Sequence, residues 1–152
     1  GVPDPANGRI EGNIGRHPKD RLQMTVLPPD DPTGKHAVTH YETLENFGHT
    51  ALVKCVLETG RTHQIRVHMT HIEHPLFSDA RYGGDKILRG ERTGTYQKFI
   101  SNCFEICPRQ ALHARTLGFV HPVTGQEMFF TAPIPADMTA LLEKWRNYTA
   151  SH

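Results

Sequence analysis

Residues Gly60-Arg61-Thr62-His63-Gln64-Ile65-Arg66-Val67-His68 carry two arginines and two histidines at the point where the sequence changes its period. Before it, Thr50 to Thr59 alternates. Ala51, Val53, Cys55 and Leu57 fall on one side and Lys54 and Glu58 on the other, as in a half-buried strand. After it, Ile65, Met69, Ile72 and Leu76 recur at helical spacing. The spacing predicts a strand handing over to a helix, with Thr62 as N-cap and Pro75 as the stop. A helix start offers unpaired N–H groups and a positive dipole end, both suited to phosphate or carboxylate. Arg61 and His63 fall at that end. Arg66 projects from the same side as His63, while Ile65, Met69 and Ile72 take the buried side. The chemistry on offer is recognition of an anion by an anchored helix. The plainer alternative is a solvated helix face with a capping threonine. His63, His68, His71 and His74 also raise a metal site, since His71 and His74 are one helical turn apart. The cysteines are distant in sequence and Glu73 is not placed as in His-Glu-x-x-His, so no metal ligand is assigned.

The elements that must position this segment follow from the rest of the pattern. Gly1 to Asp20, with its glycines and prolines, reads as loop. Leu22 to Leu27 reads as a short strand. His36 to Leu44 pairs with Thr50 to Thr59 as a β-hairpin through Asn46-Phe47-Gly48-His49. Phe77 to Gly94 is a long loop, and Tyr96, Phe99, Ile100, Cys103 and Phe104 follow helical spacing. Arg109 to Val120 reads as a strand, His121 to Gly125 as a turn, and Gln126 to Thr131 as the returning strand. Met138, Leu141, Leu142 and Trp145 mark a C-terminal amphipathic helix. There is no regular βα alternation and no glycine fingerprint after a strand. The fold class is therefore α+β, a mainly antiparallel mixed sheet with flanking helices, in a single domain.

Composition narrows the function classes. The chain has 152 residues, 17 Lys/Arg against 16 Asp/Glu, and a net charge of +1, so overall charge carries no nucleic-acid signal. Between Gly60 and Gly118, however, nine basic residues face five acidic ones, a local excess compatible with a phosphate-facing surface. No apolar run reaches the length of a membrane span. Cys55, Cys103 and Cys107 lack framework spacing and read as reduced, partly buried thiols of a cytoplasmic protein. The chain opens Gly-Val-Pro without an initiator Met and reads as a piece of a longer protein.

The segment at Gly60 closely resembles the Gly-Arg-Thr-His-Gln-Ile-Arg-Val-His signature of RluA/RluD-type RNA pseudouridine synthases. His74-Pro75-Leu76-Phe77-Ser78-Asp79-Ala80-Arg81-Tyr82-Gly83-Gly84 resembles that family's His-Pro…Asp…Tyr-Gly loop, with Ser78 where Gly is more usual. Arg109-Gln110-Ala111-Leu112-His113-Ala114 resembles its Leu-His-Ala strand. Leu117 to Pro122 and Phe130 to Pro135 resemble the following hairpin and exit, and Gly8-Arg9-Ile10, Ile14-Gly15-Arg16 and Lys35 to Thr39 fit upstream.

The resemblance covers nearly the whole chain and implies the C-terminal portion of a catalytic domain that isomerises uridine in RNA, by analogy large-subunit ribosomal RNA. The family's nucleophilic aspartate motif and its tyrosine motif do not occur here, and Asp20-Arg21-Leu22 is no substitute. The resemblance makes Arg66 the ion-pair partner of that absent aspartate. It puts Arg61, Thr62, His63 and Gln64 at the RNA, and Leu112 against the target base, with ordinary core packing as the alternative for Leu112. No metal or organic cofactor is implied. Four further expectations follow: Arg66 is a stranded cation that faces solvent or an anion; Asp79 is a hydrogen-bond acceptor in its loop; the chain alone is inactive; and open sheet edges let it dimerise. A non-catalytic RNA-binding module is the competing reading.

Overall fold

The computed structural model describes residues 1–152. Its centre is a three-stranded antiparallel sheet of β1 (Asn7–Glu11), β4 (Val38–Asn46) and β5 (Ala51–Leu57), ordered β1-β4-β5. β2 (Ile14–Arg16) and β3 (Met24–Val26) form one two-stranded ribbon, and β6 (Thr116–Val120) and β7 (Glu127–Thr131) form another. Three helices complete the chain: α1 (Gln64–His71), α2 (Gly94–Ile106) and α3 (Ala136–Ser151). The α+β class holds, but every pairing is antiparallel and the strands divide among three sheets. No helix is long and apolar enough to cross a membrane.

The β4–β5 hairpin forms as its alternation predicts, closed where the Phe47 N–H donates to the Thr50 carbonyl. Ladder partners share a face, so Ile10, Tyr41 and Cys55 look the same way. Onto that face α1 lays Ile65, Met69 and Ile72, the side expected from their spacing. Val67 is buried as well, in a second cluster with Ile14, Ala37 and Tyr82, so α1 is gripped on two sides. The largest core lies elsewhere, between α2, α3 and the Phe47 turn, around Tyr96, Ile100, Cys103, Leu141, Leu142 and Trp145. Thr93 caps α2, its hydroxyl accepting from the Tyr96 N–H at 3.2 Å.

Three expectations fail for definable reasons. Gly1 to Asp20 is not all loop, because it contains β1 and β2. Its glycines mark close approaches instead. A Cβ on Gly8 would lie 2.7 Å from the Tyr41 ring, and one on Gly15 would strike Leu27. Arg109 to Val120 becomes strand only from Thr116. In its first half the Ala111 N–H donates to the Phe77 carbonyl, and the Arg109 guanidinium takes the carbonyls of Gln110 and Leu112, so those groups join no ladder. The strand predicted over Leu22 to Leu27 is confined to Met24–Val26.

Helix α1 also differs at both ends from the sequence expectation. Its N-cap is His63, in the left-handed conformation at φ 55° and with no side-chain cap, so Thr62 does not cap it. The Gln64 side chain does that work, its Oε1 accepting from the Arg61 N–H at 2.9 Å. The helix stops at His71, ahead of Pro75. Glu73 turns left-handed at φ 65°, its N–H donates to the Thr70 carbonyl, and the His74 N–H donates to the Met69 carbonyl. That pair of bonds is a Schellman termination, with proline just beyond it.

Candidate active site around Arg66

Arg66 meets an anion, as expected, but one that this chain itself supplies, so the cation is not stranded. Its Nε donates to Asp79 Oδ2 at 2.8 Å and its Nη2 to Asp79 Oδ1 at 2.9 Å. The arginine side chain is 11 % exposed and the aspartate 0 %. The hydrogen bond to Asp79 is the main reason the guanidinium's pKa is raised, against the opposing effect of burial. The Tyr82 ring covers the same guanidinium, 4.9 Å from its central carbon. Asp79 thus does more than accept a bond in its loop, although it does that too, taking the Tyr82 N–H at 3.3 Å and fixing where the ring sits.

The loop that brings Asp79 here folds back on itself. The Asp79 N–H donates to the Leu76 carbonyl, the Gly84 N–H to the Asp79 carbonyl, and the Ser78 N–H to the Gly84 carbonyl. Ser78 is left-handed at φ 63°, a conformation that favours glycine, and its buried hydroxyl has no partner. Tyr82 then ties the loop to two further elements. Its oxygen accepts from the Met24 N–H at 3.0 Å and lies in hydrogen-bond contact with His63 Nδ1 at 2.9 Å. Burial first, then the charges of Arg66 and Arg81, hold the His63 pKa below the ordinary value, with Asp79 opposing.

A guanidinium has five N–H groups. Asp79 occupies two of Arg66's, leaving three, of which one on Nη1 and one on Nη2 form a second fork at the outer edge. That edge can grip a second planar anion without releasing the first.

The other expected site residues divide. Arg61 and Thr62 are exposed beside this centre, with the Arg61 Nε donating to the His36 carbonyl at 2.8 Å. Gln64 is not available to RNA. It is 3 % exposed, and all its bonding positions are taken. Oε1 accepts from the Thr59 hydroxyl and the Arg61 N–H, and Nε2 donates to the Val38 carbonyl and the Thr39 hydroxyl. Thr39 passes its hydrogen on to the fully buried His68, whose Nε2 reaches the Gly12 carbonyl at 3.0 Å. Leu112 is half-buried and packs into none of the three core clusters. No group of three or more His, Cys, Asp or Glu side chains is placed to hold a metal ion. The sequence reading missed Tyr82 and the pairing of Asp79 with Arg66. The only signal for either was their place in the His74 to Gly84 motif, since no helical or strand periodicity links them to Arg66.

Known proteins resemble this chain over nearly its whole length. Residues 3–71 match the family described as RNA pseudouridylate synthase. An uncharacterised RNA pseudouridine synthase of Chlorobaculum parvum is 45 % identical over 149 residues, which is 96 % of this chain and 44 % of that one. Ribosomal large subunit pseudouridine synthase D of Vibrio parahaemolyticus is 44 % identical over 147 residues, 97 % of this chain and 43 % of that one. The Escherichia coli protein of the same name is 47 % identical over 141 residues, 93 % and 41 % of the two chains. The solved human RNA Pseudouridylate Synthase Domain Containing 4 superposes with a TM-score of 0.67 at 25 % identity, over 95 % of this chain and 58 % of that one. The chain therefore spans less than half the length of these curated relatives.

Proposed function

We propose, from the premise that this chain belongs to the RluA/RluD-type family of RNA pseudouridine synthases, that it supplies the arginine-bearing part of a catalytic domain isomerising uridine in large-subunit ribosomal RNA. One observation carries the mechanistic part: Arg66 is held by Asp79 and Tyr82 with its outer N–H edge unoccupied. In this reading the edge receives the nucleophilic aspartate of the family. The guanidinium keeps that carboxylate ionised and fixes its direction through paired N–H donors. Asp79 is no candidate for the nucleophile, because it is wholly buried and both its oxygens are bonded to Arg66. Leu112 packs against the target base once that base has left its stack. The enzyme works in the cytoplasm on ribosomal RNA and needs no metal or organic cofactor. Self-association through open edges belongs to the same reading, since β6 and β7 pair only with each other. Sedimentation over a concentration series tests that part.

The decisive experiment grafts this chain in place of the matching 147 residues of the Vibrio parahaemolyticus synthase. The chimaera forms pseudouridine in a large-subunit ribosomal RNA transcript, the 152-residue chain alone forms none, and Arg66→Lys in the chimaera lowers turnover at least tenfold. A chimaera that binds RNA but forms no pseudouridine refutes the catalytic reading and favours an RNA-binding module.

A further inference from the structure

Between the β2–β3 ribbon and the start of α1 lies an open hollow of ≈ 340 Å³. Arg16, Lys35 and Arg61 line it, together with Thr33, Thr62 and the backbone of Gly15 and Gly60, and no acidic residue contributes. All three cations are exposed. Their chain atoms are nonetheless anchored. Lys35 and Ile14 exchange backbone hydrogen bonds at 2.8 and 2.9 Å, Arg16 Nη1 donates to the Arg21 carbonyl at 3.0 Å, and Arg61 Nε donates to the His36 carbonyl. The Arg16 and Arg61 guanidinium groups therefore keep N–H donors for a ligand while their stems are fixed. No salt bridge neutralises any of the three.

One residue, Met24, links the hollow to the centre around Arg66. It lines the hollow, and its N–H donates to the Tyr82 hydroxyl. Arg66 itself is nearly buried and committed to Asp79, so it adds little to long-range attraction of a polyanion. Attraction must come from exposed, unpaired cations. The size is at the small end for a ligand site, room for a phosphate and its sugar rather than a stacked base. Its lining is polar with hydroxyls and cations, which suits a phosphodiester.

We propose that Arg16, Lys35 and Arg61 seat a backbone phosphate of the RNA strand in this hollow, beside the nucleotide presented at Arg66. This rests on the reading of the chain as part of an RNA-modifying enzyme. The contact is independent of base identity, because phosphates position an RNA and base edges specify it.

Binding of the 152-residue chain to a labelled single-stranded fragment of large-subunit ribosomal RNA, followed over a potassium chloride series, tests it. Arg16→Gln and Lys35→Gln each flatten the slope of log affinity against log salt by about 0.7, and each weakens binding roughly fivefold at 0.1 M salt. The loss is the same for a scrambled RNA of equal length. Both side chains are exposed, so circular dichroism and melting stay unchanged. Arg146→Gln, a charge loss on the distant α3, leaves the slope alone. Wild-type slopes in both hollow variants, with RNA binding intact, overturn the phosphate site and leave the enzyme reading standing. No RNA binding by the unaltered chain overturns the phosphate site, whereas an inactive chimaera refutes the enzyme reading alone.

Discussion

Two arginine–carboxylate forks in this molecule have nearly the same geometry and different surroundings. Arg66 meets Asp79 through Nε and Nη2 at 2.8 and 2.9 Å. Arg146, on α3, meets Glu45, on β4, through the same two atoms at 2.9 and 2.5 Å. The first pair is 11 % and 0 % exposed, the second 47 % and 35 %. Distance therefore says little about what each pair does. At the surface, water and salt screen the attraction and replace a lost partner. In the interior nothing replaces it, and the cost of an orphaned charge exceeds the benefit of the intact pair. The Arg146 fork joins two elements. The Arg66 fork makes one side chain immobile.

The sharpest way to break this contrast is Asp79→Asn. It leaves the guanidinium nearly buried and uncompensated, and should cost about 3–5 kcal/mol. The melting temperature then falls by about 10 °C or more. Replacing both partners, as in Arg66→Met with Asp79→Leu, should recover much of that loss, since no charge is left unpaired. If Asp79→Asn melts like the parent, the pair is not the keystone of its region.

Ser78→Gly sharpens the contrast from the other side. The loop carrying Asp79 holds a serine at φ 63° with an unpartnered buried hydroxyl. Glycine relieves about 1–2 kcal/mol of left-handed strain and gives back about 0.5–1 through its freer unfolded state. A net gain of about 1 kcal/mol, some 2–4 °C in melting temperature, is expected. A loss would mean that the hydroxyl has a structural use.

Glu45→Gln should have the smallest effect. An exposed fork of this kind contributes about 1 kcal/mol or less. Differential scanning calorimetry should place the variant within about 3 °C of the parent, with the difference shrinking in 0.5 M salt. A shift as large as that of Asp79→Asn would erase the distinction between the two sites.

Local pattern made some of these features legible and not others. The β4–β5 hairpin and the side of α1 bearing Ile65, Met69 and Ile72 were readable because alternation and helical spacing report burial directly. β1 and β2 were not, because glycines demanded by the Tyr41 ring and by Leu27 look like loop composition. The motif resemblance pointed to Arg66, but its partner in this chain was hidden, because a loop brings Asp79 back across 13 residues with no periodic signal. The motif resemblance put Gln64 at the RNA. Its burial is a tertiary fact. The β6–β7 ribbon was readable as a hairpin, yet nothing local foretold that Leu117, Phe119 and Phe130 would all stand exposed.

The buried bonds under α1 run in one direction. The Gly12 carbonyl can only accept, so His68 carries its hydrogen on the far nitrogen; burial disfavours a second proton, so the near nitrogen accepts from Thr39, which in turn accepts from the Gln64 amide. Rolling the helix by a few degrees would set donor against donor or strand a carbonyl. A row of small polar groups on the hidden side of the helix thereby acts as a detent, and the guanidinium on the opposite side takes its bearing from it.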